Sequence, residues 1–389
     1  MWWAAALAWG HGNTLTTLQI AAAPDAPEEL WVLTDGWGVL HTSDLGVSWT
    51  WHCEEPLGGA TPNALAALAG GSVLLAENDG VRRLDAACGV ARVEGLPAGA
   101  AALEAAGWRG EGWVGVLGGT EGGLYRCDRE RCAPTALVGG EGARRYVKRI
   151  LSDEDGLWVS LLDESTHQYA LWFSADGEHF EELAAWSDSE ATLVLGAGAL
   201  VLVWLAPHDG SDPFLVRSAD AGGSWETVFS GNLMDDGVPG AVEHRGQLLL
   251  GSELGRTWIS TDDGRSFTEV SSELPAVRCS ATSGGVAWIC ADHWADGSGT
   301  AYSLDGRSWL TGGCLEAATP AECSEDTCTD PYDAWLAAAE GGGGSCYAPP
   351  PPPAPGCGGA SWLGLGPWAA VGLRRRLRPG LRGERNRAA

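Results

Sequence analysis

Eleven cysteines are the residues of this 389-residue chain whose type and spacing speak most directly of covalent chemistry. They stand at positions 53, 88, 127, 132, 279, 290, 314, 323, 328, 346 and 357. No Cys-x-x-Cys pair or Cys/His run has metal-ligand spacing, so disulfides formed in an oxidising compartment fit better than zinc. Cys279 and Cys290 flank the turn Thr282-Ser283-Gly284-Gly285, and a two-strand hairpin over that turn sets them opposite one another at a separation that suits an S–S bond. Cys127 and Cys132 bracket only Asp-Arg-Glu-Arg and form a second candidate stapled turn; Cys53 and Cys88 are further candidates. Cys314, Cys323, Cys328 and Cys346 share a short acidic segment, expected to be a two-bridge collar whose pairing stays open and which limits fraying after the last structural unit.

Other chemistry is only thinly signalled. The eight histidines are scattered without HExxH or His-x-His spacing, and neither a phosphate-binding glycine loop nor a GxSxG elbow occurs. Asp209-Gly-Ser-Asp212 and the stretch from Asp292 to Gly299 are acidic, glycine-rich loops of a kind that can hold Ca²⁺. The EF-hand pattern is missing, so solvated turns and no cofactor are expected. Hydrolysis by two facing carboxylates is open to a chain with 51 acidic residues, but no particular pair stands out. Those acids face only 24 Lys and Arg, for a net charge of −27, which disfavours a nucleic-acid partner. Seven of the cations fall between Arg374 and Arg387, leaving the rest of the chain more acidic still.

The elements that must carry these residues are written in a repeat. Ser218-Ala-Asp220-Ala-Gly222-Gly-Ser-Trp225 and Ser260-Thr-Asp262-Asp-Gly264-Arg-Ser-Phe267 fit S/T-x-D-x-G-x-x-W/F, and Thr42-Ser-Asp44-Leu-Gly46-Val-Ser-Trp49 fits with Thr first. Ser174-Ala-Asp176-Gly177-Glu-His-Phe180 and Ser303-Leu-Asp305-Gly306-Arg-Ser-Trp309 are one residue shorter between Asp and Gly. In each, Asp is suited to accept bonds from turn N–H groups, Gly to take a positive φ, and the aromatic to tuck back into the core. Alternating apolar runs precede the boxes, as in Leu30-Trp-Val-Leu33 and Gln247-Leu-Leu-Leu250, and read as short strands.

The first residues of the five boxes are separated by 132, 44, 42 and 43 positions, and the large gap is three periods of 44. Degenerate copies are therefore expected near 86 and 130, the second with a Cys127–Cys132 bridge in place of the Asp turn. Seven repeats predict an all-β, seven-bladed propeller of four-stranded antiparallel blades. The expected organisation is a signal-peptide-like apolar stretch at 1–12, the propeller at 13–313, the Cys-rich segment at 314–347, a Pro-rich linker at 348–356 and a tail at 357–389.

The boxes resemble the Asp-box, or BNR, repeats of the sialidase-like propeller superfamily, over roughly Asn13 to Leu315. That resemblance implies a propeller whose boxes lie on the blade rim, away from any active site. Sialidases also use an arginine triad with its first member in the opening blade, whereas the first Arg here is Arg82 and the early Arg-Ile-Pro signature is absent. The repeats are similar as well to those of xyloglucanases, which generally use two propellers, and of photosystem II assembly propellers. After the Pro-rich run, the order of Cys357, a short apolar segment and an Arg cluster resembles the myxobacterial sorting signal MYXO-CTERM, which implies Cys357 as a processing and attachment site in a Gram-negative bacterium. At 12 residues the apolar segment is short for a transmembrane helix. The expected function is that of an exported, surface-tethered, monomeric propeller that binds a protein or glycan at its funnel without catalysis. It would meet the membrane only through its tail; a propeller glycoside hydrolase is the alternative. The insertions Leu162–Ala170 and Leu205–Phe214 are the expected ligand loops.

Overall fold

The computed structural model describes residues 17–321 apart from 36–37, 54–61, 118–120, 140–143, 231–239, 253–255, 271–273, 275–276, 291–298 and 312–317. All of these lie in the first of two units, residues 1–350, the second being residues 351–389. The stretch at 1–12, the acidic loop at 292–298, Cys314, Cys323, Cys328, Cys346, the Pro-rich linker and the tail with Cys357 lie outside the described residues.

The strands form seven sheets: β1–β4 (17–52), β5–β8 (64–92), β9–β12 (101–134), β13–β16 (145–186), β17–β20 (189–230), β21–β24 (241–269) and β25–β28 (280–311). Within each sheet the four strands neighbour one another in chain order, and the antiparallel registers of the first and last blades are typical. The first strands of successive blades touch in order, and β1 (Thr17–Ala22) touches β25 (Ser280–Ser283), so the row closes into a ring. A fifth strand, β29 (Thr319–Pro320), pairs in parallel with β4 (Thr50–His52). Residues expected in the Cys-rich segment therefore widen the first blade. Thr319 N–H donates to Trp49 O at 3.0 Å and Ala321 N–H to Trp51 O at 2.9 Å.

Second strands are covered by a blade on either side, which explains their unbroken apolar text. β2 (Leu30–Thr34) is buried at every residue, and so is β26 (Val286–Cys290). Seven buried clusters result, one in each blade-to-blade interface. The closing interface packs Trp288, Tyr302, Cys279 and Cys290 of the seventh blade against Ile20, Leu30, Leu40 and Trp51 of the first. Ser283 Oγ donates across it to Ala23 O at 2.6 Å, and Trp288 Nε1 to Pro27 O at 3.4 Å. Cys127–Cys132 and Cys279–Cys290 are disulfides, and Cys53 and Cys88 are each disulfide-bonded, with no bond between those two among the described residues.

The boxes form the turns between third and fourth strands. In the fifth blade Ser218 Oγ donates to Asp220 Oδ1 at 2.7 Å and accepts from Gly222 N–H at 2.8 Å, while Asp220 Oδ1 accepts from Ser224 N–H at 2.8 Å. The same bonds recur around Asp44, Asp176, Asp262 and Asp305. In the longer boxes the residue before the Gly is also left-handed, with φ of 59° at Leu45, 53° at Ala221 and 57° at Asp263; the shorter boxes omit that residue. The two degenerate turns also use an aspartate. Asp85 Oδ1 accepts from Gly89 N–H at 2.7 Å, and Asp128 Oδ1 from Glu130 and Arg131 N–H at 2.7 Å each. The disulfide thus supplements the Asp turn of the third blade and does not replace it.

Each turn also leans on the blade before it. Phe180, Trp225, Phe267 and Trp309 pack into the interface with the preceding blade, as Trp49 does at closure. A Cβ on Gly177 would meet Trp113 at 2.8 Å and one on Gly222 would meet Leu183 at 2.8 Å, so these glycines are required by close approach as well as by φ. Arg217 donates to Asp263 O of the next blade's turn, and Arg83 to Arg129 O at 3.2 Å.

Two outcomes follow for stability. Trp288→Ala empties a fully buried site in the closing interface and is expected to lower the unfolding free energy by about 3–5 kcal/mol, read by urea titration. Hydrogen bonds from Ser224 and Ser218 pull the Asp220 carboxyl from 3.8 to about 2, and those from Ser308 and Arg307 do the same for Asp305. Their contribution is complete above 3.8 and lost as pH falls toward 2, so an acid titration of the melting temperature should drop over that window, and less steeply for Asp220→Asn.

Candidate functional site

The first strands line the channel of the ring, and four of them carry a β-bulge. The register shifts at Leu18 in β1, Leu103 in β9 (Ala101–Trp108), Lys148 in β13 (Arg145–Ser152) and Val194 in β17 (Ser189–Ala197). A bulge breaks the in–out alternation of a strand and re-aims the side chain beside it. The residues that follow in the first three are Gln19, Glu104 and Arg149, each paired two places beyond the second-strand tryptophan of its blade (Trp31, Trp113, Trp158), so the three share one place; Leu195 pairs with Leu202, nearer the end of its strand, and lines the second cavity. Gln19, Glu104 and Arg149 line one cavity of 410 Å³, together with Asn63, Arg278 and Ser280. This cavity sits toward the end of the channel where first strands begin. A second cavity, of 800 Å³, opens where first strands end and is bounded by the first-to-second-strand turns.

Two amides fix the wall of the first cavity. Gln19 Nε2 donates to Ala105 O at 3.1 Å while its Oε1 accepts from Leu65 N–H at 2.6 Å, so one side chain ties three blades. Asn63 Nδ2 donates to Ala102 O at 2.8 Å and to Asn78 Oδ1 at 3.1 Å. Burial pushes the Glu104 carboxyl up to about 7, against the opposing pull of Arg149 and Lys148. Lys148 is held by Glu190 at 2.7 Å. Beside Asn78, Glu77 is 1% exposed and is likewise raised by burial to about 7, although Arg82 stands 3.0 Å away. The Glu77 carboxyl lies behind the cavity wall; Glu104 faces the cavity.

In the second cavity the acids are largely committed to the scaffold. Asp153 Oδ1 accepts from Asp155 and Gly156 N–H at 2.9 and 2.7 Å, and its Oδ2 from Gly198 N–H of the next blade at 2.6 Å. Glu243 accepts from Gly246 N–H at 2.9 Å.

The sequence-derived residues are distributed differently from the site. The box residues lie at the third-to-fourth-strand turns, on the face of the second cavity, and line neither cavity. The insertions Leu162–Ala170 and Leu205–Phe214 also line neither. The first extends the hairpin of β14 (Leu157–Asp163) and β15 (Gln168–Ser174), the second connects β18 (Leu200–Pro207) to β19 (Phe214–Ser218), and Tyr169 of one packs on His208 of the other with ring centroids 6.2 Å apart. At Asp209 the carboxylate accepts from Ser211 N–H at 2.9 Å, and among the described residues no group of three His, Cys, Asp or Glu is arranged to hold a metal ion. Glu104 escaped sequence reading because it is one polar residue in an otherwise apolar strand, and Arg149 because it is one of three cations in β13; only alignment of the bulges shows that they share a position.

No protein-family model matches the chain, and no curated protein matches it. Among solved structures it is similar to the GH74 xyloglucanase from Xanthomonas campestris at 14% identity and TM-score 0.51, covering 77% of this chain and 55% of that one. The chain thus spans about half the length of that enzyme. It is also similar to virginiamycin B lyase from Staphylococcus aureus at 15% identity and TM-score 0.52, covering 72% of this chain and 93% of that one. Identities this low establish a shared fold alone.

Carboxyl ¹³C NMR with a Glu104→Gln control should place the Glu104 titration near 7, and Arg149→Gln should move it upward because the cation that favours the carboxylate is gone. A midpoint near 4.5 would mean that Glu104 is solvated.

Proposed function

We propose that the chain is an exported, envelope-attached propeller that binds a small polar ligand in its channel and performs no chemistry on it. The observation that carries this reading is the bulge-built wall of the first cavity. It converges the guanidinium groups of Arg149 and Arg278, one carboxyl and amide-bearing side chains on one space, the arrangement expected of a binding pocket. Among the described residues of that cavity, Glu104 is the single carboxyl, whereas hydrolysis by paired carboxylates needs two. Binding in this form calls for no cofactor and is compatible with a monomer.

The cysteines support export, since cross-links such as Cys127–Cys132 and Cys279–Cys290 persist in oxidising compartments. The apolar N-terminal stretch and the MYXO-CTERM-like tail agree, with Cys357 as the attachment residue. The Asp turns support a place in the sialidase-like superfamily by motif, with no implied activity.

A glycoside hydrolase is the second reading, favoured by the fold shared with the xyloglucanase and by a Glu104 carboxyl raised to about 7, a value suited to a general acid. One assay separates the two. The purified full chain is exposed to a panel of polysaccharides and sialosides while binding and new reducing ends are both recorded. Saturable binding without reducing ends is expected; catalytic release of reducing ends would overturn the non-catalytic reading. Fractionation of the native host is expected to find the protein in the envelope, and full-length protein in the cytosol would remove export.

A further inference from the structure

Resting on the binding role proposed above, we infer that the first cavity takes the carboxylate of a small ligand on Arg149, in exchange for a proton taken up by Glu104. Glu104 and Arg149 occupy equivalent post-bulge positions on adjacent first strands, β9 and β13, and face the same 410 Å³ space. Arg149 makes no hydrogen bond among the described residues; the partner that acts on it is Glu104. A guanidinium in a confined polar cavity is suited to bidentate capture of a carboxylate. The space accommodates something the size of one sugar acid or a dipeptide. A chain with a net charge of −27 repels anionic polymers, which favours a small ligand.

The groups around Glu104 make it the proton acceptor. From β13, Lys148 and Arg149 are the charges that act on it, and Lys148 is occupied by Glu190. β1 and the edge of β5 (Ala64–Leu68) offer only the amides of Gln19 and Asn63. β10 (Glu111–Leu117) sets Gly115 directly opposite. From the next strands outward, Glu77 and Arg82 form their own pair at 3.0 Å. Arg278, ahead of β25, completes the lining, and no histidine is among the described residues of the cavity. When Glu104 is ionised it neutralises Arg149; when protonated it leaves the guanidinium to an incoming carboxylate. A bound carboxylate disfavours the ionised Glu104 further, so binding near neutral pH draws one proton from solvent and breaks no covalent bond.

The test is calorimetric titration of the full chain with D-glucuronate and, in a separate arm, with an N-acetylated dipeptide and its C-terminal amide. Titrations run at pH 6, 7 and 8 in buffers of different ionisation enthalpy. At least one of the two carboxylates is expected to bind, roughly tenfold more weakly at pH 8 than at pH 6, with proton uptake approaching one per site at pH 8. The arm that binds identifies the source of the carboxylate, and the dipeptide amide should not bind. Glu104→Gln should keep binding but lose both the pH dependence and the proton uptake. Arg149→Gln should weaken binding roughly tenfold or more, and Arg149→Lys less, at an unchanged melting temperature. Binding without proton uptake, pH dependence that survives Glu104→Gln, or no response to either carboxylate would overturn the inference. If neutral glycans then bind, the binding role itself stands; if reducing ends appear, that role fails as well.

Discussion

A blade of four strands is apolar on both faces and has nothing of its own to cover either, so this chain must close into a ring. Most of the structure answers that constraint. Each interface holds one buried cluster, and the second strands, which lie deepest, have become continuous apolar runs. Closure is the demanding step, because the first and seventh blades meet only after the rest of the chain has been laid down between them. Trp288 and Trp51 fill that interface, Ser283 bonds across it, and the parallel strand Thr319–Pro320 extends the first blade's outer edge after the last blade.

Rim and channel divide the remaining work. At the rim, an aspartate closes all seven third-to-fourth-strand turns, and the aromatics of the five full boxes press onto the preceding blade. Uniform chemistry there reflects a uniform task. In the channel a bulge recurs at one level of three blades, but the side chain it re-aims differs from blade to blade: Gln19, Glu104, Arg149. Scaffold is kept where the repeats agree, and specificity arises where they diverge. Cations such as Arg83, Arg126 and Arg217 are spent on neighbouring turns, which leaves Arg149 as a cation aimed at open space.

The blade count and the turn chemistry were legible in the sequence because an Asp turn needs fixed residue types at fixed spacing. Asp85 and Asp128 were missed as turn residues because the hydroxyl and the glycine of the full box are absent around them, although the carboxylate does the same work. The fifth strand of the first blade was not legible: two residues pairing in parallel leave no periodic trace. The channel site was hidden for a related reason. A bulge is a mismatch between two strands, and one sequence read alone does not show which residue has no partner. Long hairpins at Leu162–Ala170 and Leu205–Phe214 drew attention by their length, yet their residues serve one another through Tyr169 and His208.

Closure is the claim on which rim, channel and ligand site all depend, and hydrogen exchange of the full chain, resolved by peptide, tests it most directly. A closed ring gives β1, β25 and β26 the slow exchange of buried strands such as β13 and β14, with protection lost together in a single cooperative step. Fast exchange confined to the first and seventh blades, while the middle blades stay protected, would show an open row of blades and contradict the account.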